Sequence, residues 1–202
     1  MKKLFLATIV GLFSATAIFA QADDMTTQFG VKGGVNLSTL RGDDVKDLDS
    51  RTSFNLGLFM EVPLSERFSF QPEVLYSGQG FSISDNADYK IDYIQVPLMA
   101  KVYLVKGLYA EAGPQFAFKV KEKVEFDDGY TEGSTTIDPD NSGIKDFDTN
   151  LALGAGYKFD NGFSLSARYN MGLSSVFKDD APFVAGKDIK NSVWQFGVGF
   201  SF

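Results

Sequence analysis

The strongest constraint on the fold of this sequence is a repeated alternation of apolar and polar side chains. Residues 108–121 show it most clearly. Leu108, Phe116 and Phe118 belong to a series of apolar side chains at every second position, and the positions between them are polar or small. Because successive side chains of a β-strand point to opposite faces, a period of two predicts a strand with one apolar face and one polar face.

The same alternation recurs along most of the chain and predicts eight strands. Segments of about ten residues match the length that a tilted strand needs to cross a bilayer. The predicted strands are residues 28–38, 52–63, 67–78, 90–104, 108–121, 148–159, 163–175 and 191–202.

The connections between these strands alternate in length, so that the long loops share one rim and the tight turns the other. The short turn at Asp160-Asn161-Gly162 has hairpin composition, because Asn and Gly tolerate the positive φ of tight turns. Outer-membrane barrels have this asymmetry, with short periplasmic turns and longer extracellular loops. The predicted long loops are residues 39–51, 79–89, 122–147 and 176–190.

The N-terminus is typical of a secretory signal. Two lysines precede an apolar run over residues 4–20, and the first 22 residues contain no acid. We predict a signal peptide over residues 1–22, cleaved after Ala20 or Ala22, followed by a barrel domain over residues 23–202. After it, no stretch approaches the roughly 18 consecutive apolar residues of a membrane helix, which excludes a helical membrane protein.

The composition argues against several kinds of chemistry. The 202 residues include no histidine and no cysteine, which rules out a histidine-based triad, a cysteine nucleophile and ordinary zinc sites. Without the signal, 17 basic residues face 26 acidic ones, a net charge of −9, and such a chain is a poor partner for nucleic acid. A Ser–Lys or paired-acid site stays open, but no spacing singles one out. We therefore predict neither an enzyme nor a cofactor.

Volume indicates which face of the strands lines the interior. An eight-stranded barrel has room inside only for side chains or one small ligand, and the polar face is rich in glycine and other small residues. The apolar face carries large side chains, with aromatic residues near the strand ends, as interfacial girdles do. We predict a closed eight-stranded antiparallel up-and-down transmembrane β-barrel in the bacterial outer membrane. The alternative is a soluble ligand-binding barrel with the apolar face inside.

The last strand ends the sequence on an aromatic residue. It resembles the C-terminal signal by which outer-membrane barrels reach their assembly machinery. On a soluble sheet, an aromatic edge strand of this kind would favour aggregation. The residues of this predicted assembly signal are Trp194, Phe196, Phe200 and Phe202.

Five segments together resemble the porin-like PorT family of outer-membrane β-barrels from Bacteroidetes-type bacteria. The resemblance covers nearly all of the mature chain and implies an outer-membrane barrel without an agreed biochemical activity. One member of that family is tied to a secretion apparatus, a role that we do not transfer. The segments are residues 29–38 (FGVKGGVNLS), 70–77 (FQPEVLYS), 94–98 (IQVPL), 111–114 (EAGP) and 167–173 (ARYNMGL).

The polar face carries charges that a narrow lumen must pair or hydrate. We predict that they form an internal network that plugs the barrel; the alternative is a hydrated ion path. Distance from the tight turns places four of them near the turn end and three nearer mid-height. The first four are Glu61, Lys101, Glu111 and Lys158, and the other three are Lys32, Glu73 and Arg168. The residues of the predicted network are Lys32, Glu61, Glu73, Lys101, Glu111, Lys119, Lys158 and Arg168.

The predicted function is a structural or interaction role through the long extracellular loops; the alternative is a small passive channel or transport accessory. Residues 138–143 match a calcium loop only in part, so we expect no metal there. The expected partners are outer-membrane lipids and lipopolysaccharide, the barrel assembly machinery, and an extracellular or secretion partner that the sequence does not identify.

Overall fold

The computed structural model describes the strands and most of their connections. The predicted signal peptide, with both cleavage positions, lies outside the described residues, as does most of the partial calcium motif. The described residues are 26–42, 49–84, 87–127, 132–136, 143–177 and 189–202.

Eight long strands close into one antiparallel barrel, as the alternation predicts, and a short ninth strand extends its wall. The strands are β1 Gln28–Arg41, β2 Asp49–Pro63, β3 Phe68–Ser84, β4 Ala87–Val105, β5 Leu108–Asp127, β6 Glu132–Thr136, β7 Phe147–Lys158, β8 Phe163–Gly172 and β9 Lys190–Ser201. Sequential strands pair, except that β5 pairs with β7 and carries β6 on the same edge. The first and last strands, β1 and β9, pair from Gly30↔Ser201 to Arg41↔Lys190 and close the barrel.

The two faces of the wall differ in polarity as expected. Large apolar side chains such as Leu56, Leu153 and Val198 are about half exposed on the outside. The inside is polar: Asn36 and Gln95, for example, are fully buried. This arrangement suits a wall with lipid outside and a packed polar interior.

Three tight turns connect the strands at one end, at the predicted positions. Gly107, with φ of 77°, and Gly162, with φ of 88°, adopt the left-handed conformation that the turns into β5 and β8 require. The Lys106 ammonium lies 2.8 Å from the Asp160 carboxylate, which raises the pKa of Lys106. Both side chains are exposed, so this pair links neighbouring turns and adds little stability.

Several strands are longer than predicted. β3, β4 and β5 contain 17, 19 and 20 residues, well beyond the 9–11 or so that cross a bilayer. The predicted loops 79–89 and 122–147 therefore contain strand ends, and the second also contains β6. Conversely, β8 ends at Gly172, before the predicted residue 175.

A β-bulge changes the direction of the side chains in β5. Asp92 pairs with Lys121 and Tyr93 pairs with Lys119, which leaves Val120 as an extra residue. Uninterrupted alternation would turn Lys121 inward. Instead Lys121 is exposed, and Glu122 is buried in the interior.

Candidate functional site

The centre of the lumen contains a neutral cluster of four charged side chains. The Arg168 guanidinium donates from Nη1 and Nη2 to the two carboxylate oxygens of Glu73, at 2.9 and 2.8 Å, and from Nε to Glu111 at 2.8 Å. The Lys32 ammonium lies 3.2 Å from both Glu73 oxygens, and Gln71 donates to Glu73 at 2.7 Å. Arg168 and Glu73 are almost fully buried.

This cluster bridges the full width of the barrel. Glu73 lies on β3 and Arg168 on β8, and these strands are four apart in either direction around the closed sheet. They therefore form opposite walls. The two parallel hydrogen bonds between guanidinium and carboxylate are the strongest form of such a pair, and they fix its orientation.

A second cluster lies toward the turn end. Glu61 accepts hydrogen bonds from the Lys158 ammonium at 2.9 Å and from the Tyr103 hydroxyl at 2.6 Å, and the Lys101 ammonium lies 3.8 Å away. Lys101 also stands 4.2 Å from the centroid of the Tyr109 ring, within the range of a cation–π contact. Lys101 is also the register partner of Glu111 across β4 and β5, which links this cluster to the central one.

Lys119 belongs to a third group of charged residues, near the loop end. Its ammonium is 2.8 Å from Glu122 and 3.2 Å from Asp146, and it donates to the Ile144 carbonyl at 2.9 Å. The Tyr89 hydroxyl donates to Glu122 from the other side.

The eight predicted network residues thus fall into three groups, and Glu111 pairs in register with Lys101 of the turn-end cluster while its carboxylate bonds to Arg168 of the central one. The stagger between strands decides which of these side chains meet, and the sequence does not specify that stagger. The partners that the sequence reasoning missed are mostly neutral, so charge gave no signal for them. They are Gln28, Gln71, Tyr89 and Tyr103, together with two acidic residues, Asp146 and Glu122, the last displaced by the bulge.

An apolar cluster covers the loop end of the lumen. Backbone hydrogen bonds join Lys145 to Val176 at 2.8 Å and Val176 to Ile189 at 2.9 Å, and a bridge pairs Ile144 with Phe177. These contacts hold the segments around residues 144 and 176 across the opening. We call the cluster the cap; it consists of Leu40, Ile91, Tyr93, Ala117, Ile144, Val176 and Ile189.

A layer of buried amides lies directly below the cap. Gln95 and Gln115 follow the cap residues Tyr93 and Ala117 on the inward faces of β4 and β5. Among the described residues, neither amide has a hydrogen-bond partner for its oxygen or its nitrogen, and the same holds for Asn170. Buried polar groups of this kind are normally satisfied by internal water.

The turn end, by contrast, is open. A cavity of about 750 Å³ enters the barrel there, and Glu61, Tyr103 and Lys158 line it. In the described part of the chain, no group of three or more acidic side chains is arranged to hold a metal ion, and no helix is long and apolar enough to cross a membrane.

A closed eight-stranded wall, an apolar outer face and a lumen lined with polar and charged side chains define a small transmembrane β-barrel. Residues 19–178 match the family described as outer membrane protein beta-barrel domain, and the chain belongs to this family. The protein is thus an outer-membrane protein of a bacterium, as predicted. The match is to this broad family and does not identify the chain as a member of the narrower PorT family.

Two solved structures are similar to this chain at low sequence identity. Neisserial surface protein A is 12% identical, with a TM-score of 0.52, over 88% of this chain and 99% of that chain. Ail, the attachment invasion locus protein of Yersinia pestis, is 20% identical, with a TM-score of 0.47, over 88% and 100% of the two chains. No curated protein sequence matches the chain.

Proposed function

We propose that this protein is a closed, mostly plugged barrel with a structural or interaction role, exercised through its loop-end surface. The observation that carries the proposal is the central cluster, in which Arg168 joins Glu73 on the opposite wall. An ion entering the barrel would have to separate these buried charges. Breaking such a pair leaves an uncompensated buried charge, which typically costs about 3–5 kcal/mol.

The cap supports the same conclusion independently. It closes the loop end with side chains that are apolar except for the Tyr93 hydroxyl, and a mostly apolar constriction of this kind resists wetting. The lumen is then blocked at two heights by different chemistry.

The long strands support the interaction role. Since β3, β4 and β5 exceed the length needed to cross a bilayer, their ends project beyond the membrane as paired sheet. Ordered backbone of this kind offers a partner a surface at a small entropic cost of binding. The partner is an extracellular or secretion protein that the sequence does not identify.

The proposal includes the remaining expectations from the sequence. A signal peptide over residues 1–22 is removed, the C-terminal strand is read by the assembly machinery, and the chain is of the PorT type within its family. The absence of histidine and cysteine supports a role without catalysis.

A small passive channel is the second candidate. The unpartnered amides of Gln95, Gln115 and Asn170 favour it, because they indicate water inside the wall. Conduction would require this water to connect past both the cap and the central cluster.

Planar-bilayer recording of the refolded protein distinguishes the two candidates. We expect no conductance steps above the protein-free background, whereas a 16-stranded porin in the same bilayer gives large ones. Reproducible steps would overturn the plugged barrel and favour the channel.

The interaction role is tested on intact cells with a photo-crosslinking residue at Ser134 on β6, and with the same residue at Glu66 in the turn after β2 as control. We expect discrete adducts with a non-barrel protein at Ser134 that are absent at Glu66. A lack of adducts at Ser134 would contradict an interaction through this surface.

A further inference from the structure

A polar cluster lies on the outer wall of the barrel, where three strands approach the loop end. The Arg41 guanidinium on β1 donates from Nη1 to the Tyr169 hydroxyl on β8, at 2.9 Å. The same hydroxyl lies 2.9 Å from the Ser192 hydroxyl on β9. Ser192 is buried beneath its neighbours and holds the tyrosine in place, whereas Arg41 is exposed.

The strand register adds a second cation and an aromatic ring to this cluster. Arg41 pairs with Lys190 across the closing seam, and Tyr169 pairs with Trp194. The centroids of the Tyr169 and Trp194 rings are 4.9 Å apart. Two positive charges thus lie next to a pair of interfacial aromatic residues on one patch of the outer wall.

The position of this patch matches the level of lipid headgroups. Below it, toward the turns, the outer wall is apolar and exposed at Leu165, Phe196 and Val198. Tyr and Trp are enriched where the hydrocarbon meets the polar headgroups. Arg41 therefore emerges above the hydrocarbon at the loop end, which in outer-membrane barrels is the outer surface.

Among the described residues, no carboxylate pairs with the charge of Arg41. Within the part of the chain that the structure describes, its side chain bonds only to the neutral Tyr169 hydroxyl. Arg168, in contrast, donates to two carboxylates. A guanidinium carries five N–H donors, so most of the donors of Arg41 stay available to a ligand beside the wall.

We propose that Arg41 and Tyr169 form a site for the phosphate group of a phosphorylated glycolipid in the outer leaflet. The planar guanidinium suits bidentate binding of phosphate, and the tyrosine hydroxyl adds a polar contact at the edge of the hydrocarbon. Basic clusters beside a membrane-spanning wall are sites for anionic headgroups. The occupant is a glycolipid because lipopolysaccharide forms the leaflet on the loop side. This inference does not depend on whether the lumen conducts.

The chain contains its own reporter for the test. Trp194 is the single tryptophan in the sequence and contacts Tyr169, so its emission responds to a ligand at this patch. The refolded protein is placed in phosphatidylcholine nanodiscs with increasing fractions of lipid A. We expect a saturable change of Trp194 emission that is absent with dephosphorylated lipid A and much weaker with phosphatidylglycerol.

The variants localise the effect. Arg41→Gln should raise the lipid A fraction at half-saturation at least tenfold, and Tyr169→Phe should raise it less. Arg67→Gln removes the same charge at the opposite rim and should leave the titration unchanged. Heat-modifiable migration on gels confirms that each variant is folded. An unchanged titration for Arg41→Gln, or equal responses to lipid A before and after dephosphorylation, would overturn the site, and an equal response to phosphatidylglycerol would overturn its assignment to a glycolipid.

Discussion

Arg168 meets two carboxylates inside the barrel, and all three of its nitrogen atoms donate to them. Burial of a guanidinium is costly, and only geometry of this quality offsets the loss of hydration. Because the surrounding charges sum to neutrality, the cluster is stable only while each member is present. Substitutions here should therefore act together and not independently.

A double-mutant cycle on Glu73→Gln and Arg168→Met tests this coupling. Each single change strands a buried charge and should cost about 3–5 kcal/mol in the free energy of unfolding. The double variant should cost clearly less than the sum, because the stranded charge leaves with its partner. Urea unfolding from lipid or detergent measures all four proteins.

The control for this cycle is Lys106→Met. This change removes a cation from an exposed ion pair at the turns and should leave the unfolding midpoint unchanged. Small, additive effects at Glu73 and Arg168 would show that water screens these charges, which contradicts the plug.

The sequence predicts which residues belong to this charged cluster, but it does not specify which of them bond to each other. Alternation selects the inward positions, and a narrow lumen requires that charges there be matched, which is how Lys32, Glu73 and Arg168 emerge from the sequence. The choice among possible partners depends on the stagger of strands that are far apart in sequence. Neutral donors such as Gln71 and Tyr103 carry no signal before that stagger is known.

The assignment of the apolar face to the lipid side can be tested at one position of a single strand. Leu153 lies in the middle of β7 and is exposed to the outside. Leu153→Arg should cost about 2–4 kcal/mol of folding stability in lipid, because it moves a charge into hydrocarbon near the midplane. Leu153→Phe keeps the position apolar and serves as the control. If the arginine variant unfolds at the same urea concentration as the parent, this face does not meet lipid.

A change in the last strand can test folding of the barrel and its delivery to the outer membrane separately. The backbone of Phe202 donates to Phe29 at 2.8 Å, but its side chain is 75% exposed. Phe202→Ala should therefore refold in detergent with the yield of the parent, while much less folded barrel reaches the outer membrane of cells. Heat-modifiable migration on gels quantifies both. Equal amounts in cells would contradict the assembly signal.

The sequence did not predict β6 or the ends of the longest strands. These elements lie where neither lipid nor the lumen imposes an alternation of apolar and polar residues. Beyond the bilayer both faces of a strand can be polar, so pairing continues without an apolar period, as in β6 (EGSTT). The bulge at Val120 has a similar cause, since one inserted residue exchanges the two faces without any change of composition. The tight turns were predictable because glycine at positive φ is a local requirement.

The orientation of the whole barrel can be tested by labelling. Single cysteines at Ser134 and Asp146 at the loop end should react with an impermeant reagent on intact cells. Cysteines at Glu66 and Asn161 in the turns should react only after the outer membrane is breached, since short turns face the periplasm. Labelling of both sets on intact cells would refute this orientation. The chain has no native cysteine that would interfere.

The seam between β1 and β9 has a consequence for how the protein is made. It joins residues from the two ends of the described chain, so the ring cannot be completed until the last strand has been synthesised. Contacts between such distant residues slow folding, because the loop must be closed before any of them forms. Until then the growing sheet has two unpaired edges, each a template for wrong pairing with another chain. Successful biogenesis therefore depends on shielding both edges during the interval between export and closure.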